Sequence, residues 1–361
     1  MQASAVAPGA GADTGHATGV FRLSGPFDLR LSLAAAAKFA AGAEPPPTLL
    51  KTSLVVNGEA ATIEVSQPAG ADAPLHVLAT PDLPEGQLRT TVHWLVTAEL
   101  DLRPFYALAQ SHPVMKAVSS ALPGLKPLRP ASLFEMAIIA ITEQQISLAA
   151  AFHVRTRIIE RFGTVHDDLR LFPSPEQLAA ASLPDLRTCG VSQRKAEYIR
   201  DLAARFVAEA WDFRAFEGET DQRIREALVR SRGFGEWSVD YILNRGFGRP
   251  DSLPAGDVGL QRVVGHYLTG TRLAAQRLQE VLEPFRPYRG LAAFYLAAHW
   301  RLREGGKRPP TEPSSSAAPS GSARRPAAQH GARKAEAAGG RSQLASSSGK
   351  AKGRSKLPGG G

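Results

Sequence analysis

The chain has 361 residues, of which 43% are hydrophobic, so it is long enough for one large or two ordinary domains with a sizeable core. Its one cysteine, Cys189, excludes a disulfide framework, a four-cysteine iron–sulfur cluster and a four-cysteine zinc site, and it favours an intracellular protein. No apolar run reaches membrane-spanning length, and residues 1–17, which we expect to be disordered, lack the pattern of a secretory signal.

The positive charge is concentrated at the C-terminal end. The formal net charge is +9, and residues 306–361 hold eleven Lys and Arg residues against two acids, so the rest of the chain is neutral overall. We expect residues 305–361 to form a disordered tail, because this Ala-, Ser-, Gly- and Pro-rich segment has too few large apolar groups to fold. The tail is either a solubilising segment or a polybasic arm that holds a polyanion and releases it in salt.

Residues 18–100 are predicted to form a small β-rich domain. Three short β-prone runs, TLLKTSLVVNG, ATIEVSQ and LHVLATP, are separated by turn signals such as Asn57-Gly58. The segment DLRLSLAAAAKFA (28–40) has helical spacing among them. This combination predicts an α+β fold class, with the β-rich unit first.

Residues 101–304 are predicted to form an all-helical domain. Within it, the apolar stretch 132–163 is either one long helix or two helices joined at a break. Its centre carries Glu143-Gln144-Gln145, and polar groups buried there are costly without partners. These side chains either face outward or mark a helix end that meets a polar ligand.

Two segments follow in which a glycine turn separates two helical patterns. They are LPDLRTCGVSQRKAEYIRDLAARF (183–206) and ALVRSRGFGEWSVDYIL (227–243). In the second, Gly233 and Gly235 let the backbone approach another molecule closely. The helix after them begins with free amide hydrogens and the positive end of its dipole, which suits a phosphate. A plain helical hairpin is the alternative.

Three side chains near this turn are candidates for chemistry. Trp237 and Tyr241 are four residues apart, so they lie on one face of a helix, where they are either core residues or the wall of a site. Asp257 follows Pro254-Ala255-Gly256 and precedes a helical pattern. It is suited to be a helix N-cap, and a capping position also fixes a carboxylate rigidly.

The hairpin, GFGEW and LPAGDVGLQR together resemble the helix-hairpin-helix superfamily of DNA glycosylases. Within that superfamily the similarity is closest to the bacterial DNA-3-methyladenine glycosylase II family. The resemblance covers about residues 18–304, and FEMAIIAITEQQISLAAA and RPYRGLAAFYLAAHWR agree with it in order and spacing. It implies a helix-hairpin-helix glycosylase domain at 101–304 behind the β-rich domain.

The resemblance also implies a role for each site residue. Asp257 matches the essential acid, Trp237 and Tyr241 match aromatics beside the flipped base, and Tyr288 falls where some relatives have a pocket tryptophan. The remaining matches concern contacts with the DNA. The hairpin backbone, including Gly233, Phe234 and Gly235, would hold a DNA phosphate, with a monovalent cation at the carbonyls of Val229, Ser231 and Phe234; Gln144 or Gln145 would fill the gap in the duplex.

These matches predict a monofunctional enzyme that removes 3-methyladenine and 7-methylguanine from double-stranded DNA. Relatives with lyase activity place a lysine where this chain has Trp237, so we expect an abasic site as the product. We expect no cofactor, no membrane partner and a monomer, located in the cytoplasm or nucleoid of a bacterium or in the nucleus of a eukaryote. The alternatives are a non-catalytic DNA-binding protein and a glycosylase for oxidised or deaminated bases.

Overall fold

The structure is a computed structural model that describes residues 17–39, 48–209, 211, 216 and 218–303. These residues lie within one compact unit, Met1–Pro313. The basic tail and all but the last residue of the segment 1–17 lie outside the described residues. Within the described part of the chain, no helix is both long and apolar enough to cross a membrane.

A four-stranded antiparallel sheet forms the N-terminal part. Its strands are β1 (Ala17–Phe21), β2 (Leu50–Val56), β3 (Glu59–Ser66) and β4 (Leu75–Thr80), in the order β1-β4-β3-β2. The predicted turn at Asn57-Gly58 joins β2 to β3, with φ values of 51° and 90° that suit these residue types. The predicted strands are therefore confirmed, as is the helical segment among them, α1 (Leu29–Phe39).

The rest of the described chain is mostly helical. Its helices are α2 (Glu85–Leu95), α3 (Leu102–Ala109), α4 (Pro113–Ala121), α5 (Leu133–Glu143), α6 (Leu148–Phe162), α7 (Pro175–Ala180), α8 (Leu183–Thr188), α9 (Gln193–Glu209), α10 (Asp221–Val229), α11 (Glu236–Arg245), α12 (Val258–Leu268), α13 (Ala275–Leu282) and α14 (Arg289–Arg303).

One short ribbon interrupts the predicted all-helical region. Strands β5 (Val165–His166) and β6 (Leu169–Arg170) pair across a turn in which Asp167 has a φ of 52°. The Thr62 hydroxyl donates to Asp167 at 2.9 Å, and Lys51 donates to Asp168 at 3.0 Å. The ribbon differs from the prediction because side chains from the distant strands β2 and β3 hold its turn.

The apolar stretch 132–163 forms two helices with a break at the polar triplet. Ser147 caps the N-terminus of α6 by accepting from the Ala150 N–H at 3.2 Å. At the other side of the break, the Lys195 ammonium donates to the carbonyl oxygens of Thr142 and Gln144 at 3.0 and 2.7 Å. A cation at a helix C-terminus satisfies carbonyls that the helix leaves open. The two-helix alternative is therefore the one that forms.

Among the described residues, the buried apolar side chains form three clusters. One lies between the sheet and α1 and α2, around Phe21 and Ile63. A second joins α5 to α11, around Ile141 and Ile242, and a third joins α3, α4 and α12 to α14, around Tyr295. The third cluster also takes in Ala35 from α1. The division near residue 100 stays a prediction, and the second and third clusters carry the elements of the site.

We predict that Gly290→Ala destabilises the protein. The new methyl group would lie 2.0 Å from the Ser252 carbonyl oxygen and 2.4 Å from the Asn244 amide nitrogen, so α14 would have to move away from the segment before α12. Overpacking of this kind costs about 1–3 kcal/mol in the free energy of unfolding. Thermal unfolding measures the loss as a lower Tm.

Gly86→Ala is the matched control, because Gly86 lies in the first turn of α2 and no atom lies within 4 Å of its new methyl group. This variant should match or exceed the wild-type Tm, since alanine favours a helix over glycine by up to about 1 kcal/mol. Equal Tm values for the two variants would contradict the close packing of α14.

Candidate active site

A cavity of about 1010 Å³ opens between the end of α5, helix α11 and helices α12 and α14. Its size suits a small organic ligand or a nucleobase. Of the predicted site residues, the structure brings six to its walls. They are Gln144, Gln145, Trp237, Tyr241 and Asp257, together with Gly235 of the hairpin turn.

Asp257 is the N-cap of α12, as the sequence predicts. Its Oδ1 accepts from the Leu260 N–H at 2.9 Å, and its Oδ2 accepts from the Trp237 indole N–H at 3.4 Å. A turn before it is closed by the Asp257 N–H, which donates to the Pro254 carbonyl at 2.9 Å. Both carboxylate oxygens are thus oriented, and the half-buried side chain still lines the cavity.

Trp237 and Tyr241 lie on one face of α11, which confirms the spacing argument. Their rings are stacked, with centroids 5.2 Å apart and planes at 18°. Burial raises the pKa of the Tyr241 hydroxyl, and the nearby Glu143 raises it further. The phenol is therefore protonated at neutral pH and can donate a hydrogen bond. The pair forms a flat aromatic wall that ends in a polar group.

The hairpin turn between α10 and α11 exposes backbone at its tip. Gly233 has a φ of +97°, and Phe234 is buried in the second cluster. Gly235 is the N-cap of α11 without a side-chain cap, and it is exposed. The first amide hydrogens of α11 therefore have no capping side chain.

The two glutamines occupy different environments. The Gln144 amide nitrogen donates to the Gly233 carbonyl at 2.8 Å and to the Ser238 hydroxyl at 3.0 Å, so it joins the α5–α6 break to the hairpin. Gln145 is exposed and has a φ of 57°, a left-handed conformation that is uncommon for a residue other than glycine. Only Gln145 projects away from this hydrogen-bonded junction.

A monovalent cation at the hairpin carbonyls stays a prediction. The Ser231 carbonyl accepts from the Phe234 N–H at 3.1 Å, and a carbonyl oxygen has a second lone pair that a cation could use. Among the described residues, no group of three or more His, Cys, Asp and Glu side chains could hold a metal ion. Backbone oxygen is thus the donor type that this turn offers.

Tyr288 lies apart from the other predicted pocket residues. Its ring packs 5.9 Å from that of Phe105, against the third cluster, and it is not among the described residues that line the cavity. The structure therefore does not bring Tyr288 to the aromatic wall formed by Trp237 and Tyr241. The reason is that the start of α14 directs this side chain toward α3.

The sequence reasoning missed the charged groups of the cavity. Glu143 forms an ion pair with Arg155, with 2.8 Å between Oε1 and Nη1, and both side chains are largely buried. Burial lowers the pKa of Arg301, while the charge of Asp257 raises it. The Arg245 guanidinium lies 4.9 Å from the centre of the Phe294 ring. Of these charged residues, the sequence pointed only to Glu143, through the polar triplet. The three arginines come from three separate helices, so no local pattern connects them.

Comparisons with known proteins agree with this geometry. Residues 138–287 match the model of the HhH-GPD superfamily, described as base excision DNA repair proteins. "Putative DNA-3-methyladenine glycosylase YfjP" of Bacillus subtilis is 30% identical over 174 residues, which are 48% of this chain and 60% of that protein. The DNA-3-methyladenine glycosylase of the same bacterium is 26% identical over 219 residues, which are 58% of this chain and 70% of that protein.

A solved structure shares the fold over most of the chain. The 3-methyladenine DNA-glycosylase from Archaeoglobus fulgidus aligns with a TM-score of 0.67 and 22% identity, and the match covers 78% of this chain and 98% of that one. The chain spans 60% of the length of the first Bacillus subtilis relative. The likeness in structure therefore extends further along the chain than the likeness in sequence.

We predict that Gly233→Ala destabilises the protein, whereas Gly235→Ala does not. A methyl group at position 233 would lie 2.5 Å from the Tyr198 ring, and the φ of +97° costs a residue with a Cβ roughly 1–2 kcal/mol. At position 235 no atom lies within 4 Å of the new methyl group, and the φ is −108°. Chemical denaturation of both variants tests this, and an equal loss of stability in the two would be evidence against the turn geometry.

Proposed function

We propose that the chain, whose residues 138–287 match the model of the HhH-GPD superfamily of base excision DNA repair proteins, is a monofunctional DNA glycosylase for alkylated purines. Its substrates are 3-methyladenine and 7-methylguanine in double-stranded DNA, and its product is an abasic site. The observation that carries this proposal is Asp257, fixed by two hydrogen bonds at the rim of a cavity with an aromatic wall.

The hairpin is the proposed anchor on the DNA backbone. A base inside a duplex is out of reach, so the enzyme must hold the strand and turn the nucleotide outward. The exposed Gly235 and the uncapped start of α11 offer amide hydrogens to a phosphate oxygen at the positive end of a helix dipole. The same helix carries Trp237 and Tyr241, so a phosphate bound here positions the strand next to the cavity.

Asp257 is the proposed catalytic residue. An alkylated purine carries positive charge and is a good leaving group, so its departure needs little help from an acid. Positive charge develops on the sugar instead, and a fixed carboxylate in a water-poor cleft stabilises that charge. One such carboxylate is sufficient, and it can also orient the attacking water.

The aromatic wall is the proposed contact for the extruded base. A cationic ring against Trp237 or Tyr241 gains ~0.5–2 kcal/mol from cation–π attraction. The stacked arrangement of the two rings offers one continuous surface to a flat base. This favours alkylated purines over the neutral bases of undamaged DNA.

Gln145 is the proposed group that fills the space left by the extruded base. The sequence leaves Gln144 and Gln145 as equal candidates. The Gln144 amide is already committed to the Gly233 carbonyl and the Ser238 hydroxyl. Gln145 is exposed at the tip of the break, where its side chain is available to enter a duplex.

The walls of the cavity also support a monofunctional enzyme. Strand cleavage by a lyase needs an amine that attacks the sugar to form a Schiff base. No lysine occurs among the described residues that line the cavity, and the matching position on α11 is Trp237. Lys195, on α9, is bound to the carbonyls at the end of α5.

A non-catalytic DNA-binding protein is the main alternative, and Asp257 argues against it. A carboxylate close to DNA phosphates weakens binding, so a protein that only binds gains nothing from it. A glycosylase for oxidised or deaminated bases is the other alternative. Base release from duplexes that contain 3-methyladenine, hypoxanthine or 8-oxoguanine separates all three functions.

We predict that Asp257→Asn abolishes base release and preserves DNA binding. Asparagine caps a helix as well as aspartate does, so α12 should keep its start, while the stabilising charge is lost. We expect the rate of 3-methyladenine release to fall by ~10²–10³ or more. Single-turnover excision and duplex binding measure the two effects.

Asp101→Asn is the matched control, because Asp101 is the N-cap of α3 and is not among the described residues that line the cavity. This variant should release base at the wild-type rate. If Asp257→Asn also retained near-wild-type excision, the catalytic role of Asp257 would have to be abandoned.

We predict that the product strand stays intact until it is treated with alkali. Without an amine at the position of Trp237, incubation with a lesion duplex should leave an abasic site, and borohydride should trap no protein–DNA adduct. Denaturing gels before and after alkali, with a bifunctional glycosylase as a positive control, show both results. A trapped adduct would mean that a lysine elsewhere attacks the sugar.

A further inference from the structure

Glu143 is a second carboxylate of the cavity, and it has no part in the function proposed above. It lies at the C-terminal end of α5, and its side chain is only 8% exposed, yet it lines the cavity. Its Oε1 accepts from Arg155 at 2.8 Å. A buried carboxylate is costly to keep even when it is paired, which suggests that Glu143 has a function in this cavity.

The aromatic wall connects Glu143 to Asp257. The Trp237 indole donates to Asp257 at one end of the stacked pair, and at the other end Tyr241 and Glu143 line the same cavity, where the Glu143 charge raises the pKa of the Tyr241 hydroxyl. The Arg301 guanidinium and both carboxylates line this one cavity. A base that lies on this wall with its sugar at Asp257 therefore directs its far edge toward Glu143.

We propose that Glu143 determines specificity by accepting a hydrogen bond from an N–H group on the far edge of the extruded base. This inference rests on the proposed glycosylase function and names a substrate feature within it. A carboxylate has about four acceptor positions, so the hydrogen bond from Arg155 leaves capacity for a further donor. Arg155 orients the Glu143 carboxylate.

The substrate class that fits is a purine with a positive charge and an amino or ring N–H group on that edge. 3-Methyladenine has both, through its ring charge and its exocyclic amino group. 1,N6-Ethenoadenine has neither, because the added ring removes the amino hydrogens and the base is neutral. The two lesions therefore differ in the features that a carboxylate at this position would recognise.

A purely structural role for Glu143 makes a different prediction. If it only holds Arg155 and Tyr241 in place, its replacement should disturb the aromatic wall and slow the release of every base alike. Glu143→Gln keeps the size of the side chain and a carbonyl oxygen that can accept from Arg155. It removes the charge and one acceptor oxygen, so it tests recognition of the base and not the filling of space.

The experiment measures single-turnover release of 3-methyladenine and of 1,N6-ethenoadenine from matched duplexes by wild type and Glu143→Gln. We expect release of 3-methyladenine to fall by about 10-fold to 100-fold, as for a lost hydrogen bond to a charged group. Release of 1,N6-ethenoadenine should change less than about 3-fold, because this base has no amino hydrogen that Glu143 could accept and so loses no hydrogen bond. Binding to a duplex with a tetrahydrofuran abasic analogue should stay at the wild-type level, which shows that the variant is folded.

Glu135→Gln is the matched control, because Glu135 is a carboxylate on the same helix whose Oε2 accepts from the Ala131 N–H, outside the cavity. It should leave the ratio of the two rates unchanged. An equal fall for both lesions in Glu143→Gln, or no fall for either, would overturn the role of Glu143. If the wild-type protein released no base from any duplex, the glycosylase function itself would fail, which is a separate result.

Discussion

The hydrogen bonds of the Gln144 amide connect the two halves of the candidate active site. This side chain joins the break between α5 and α6 to the hairpin turn and to the first turn of α11. The position of Glu143, one residue earlier, and that of Trp237, one residue before Ser238, are therefore fixed relative to each other. Lys195 stabilises the same junction, because its ammonium donates to the carbonyl oxygens at the C-terminal end of α5. A partly buried network of this kind restricts the site to one arrangement only when every member is satisfied.

Local chemistry explains which features could be predicted from the sequence. The Asn57-Gly58 turn, the glycine hairpin, the Asp257 cap and the shared face of Trp237 and Tyr241 each depend on residues within a few positions of one another. The break at the polar triplet was left as one of two alternatives, because the sequence does not show that Lys195, about fifty residues later, caps the helix end. The missed features all depend on distant contacts. The ribbon at Asp167 needs Thr62, the position of Tyr288 needs Phe105, and the ion pair of Glu143 needs Arg155 on another helix.

The cavity combines groups that are individually expensive to bury. The cavity is lined by two carboxylates, several arginines and a phenol, together with apolar side chains. Partial burial lowers the pKa of Arg301 and raises that of Tyr241. Such a site costs stability, and the apolar clusters on either side must offset that cost. The same low polarity strengthens every charge–charge interaction within the cavity.

The insertion of α1 into the third cluster has a consequence for how the chain can be divided. Ala35 lies in the core that α14 and α12 share, and the next residue, Ala36, lies at the cavity wall. Nearby, the Ser32 hydroxyl accepts from the Lys126 N–H, and the buried Lys126 ammonium is 3.4 Å from the Thr97 carbonyl. Helix α1, which belongs to the sheet-bearing region, thus contributes directly to the wall of the cavity. A chimera in which the first hundred residues came from another protein would need a helix with the same small side chains in place of α1. Without it, part of the cavity wall would be missing.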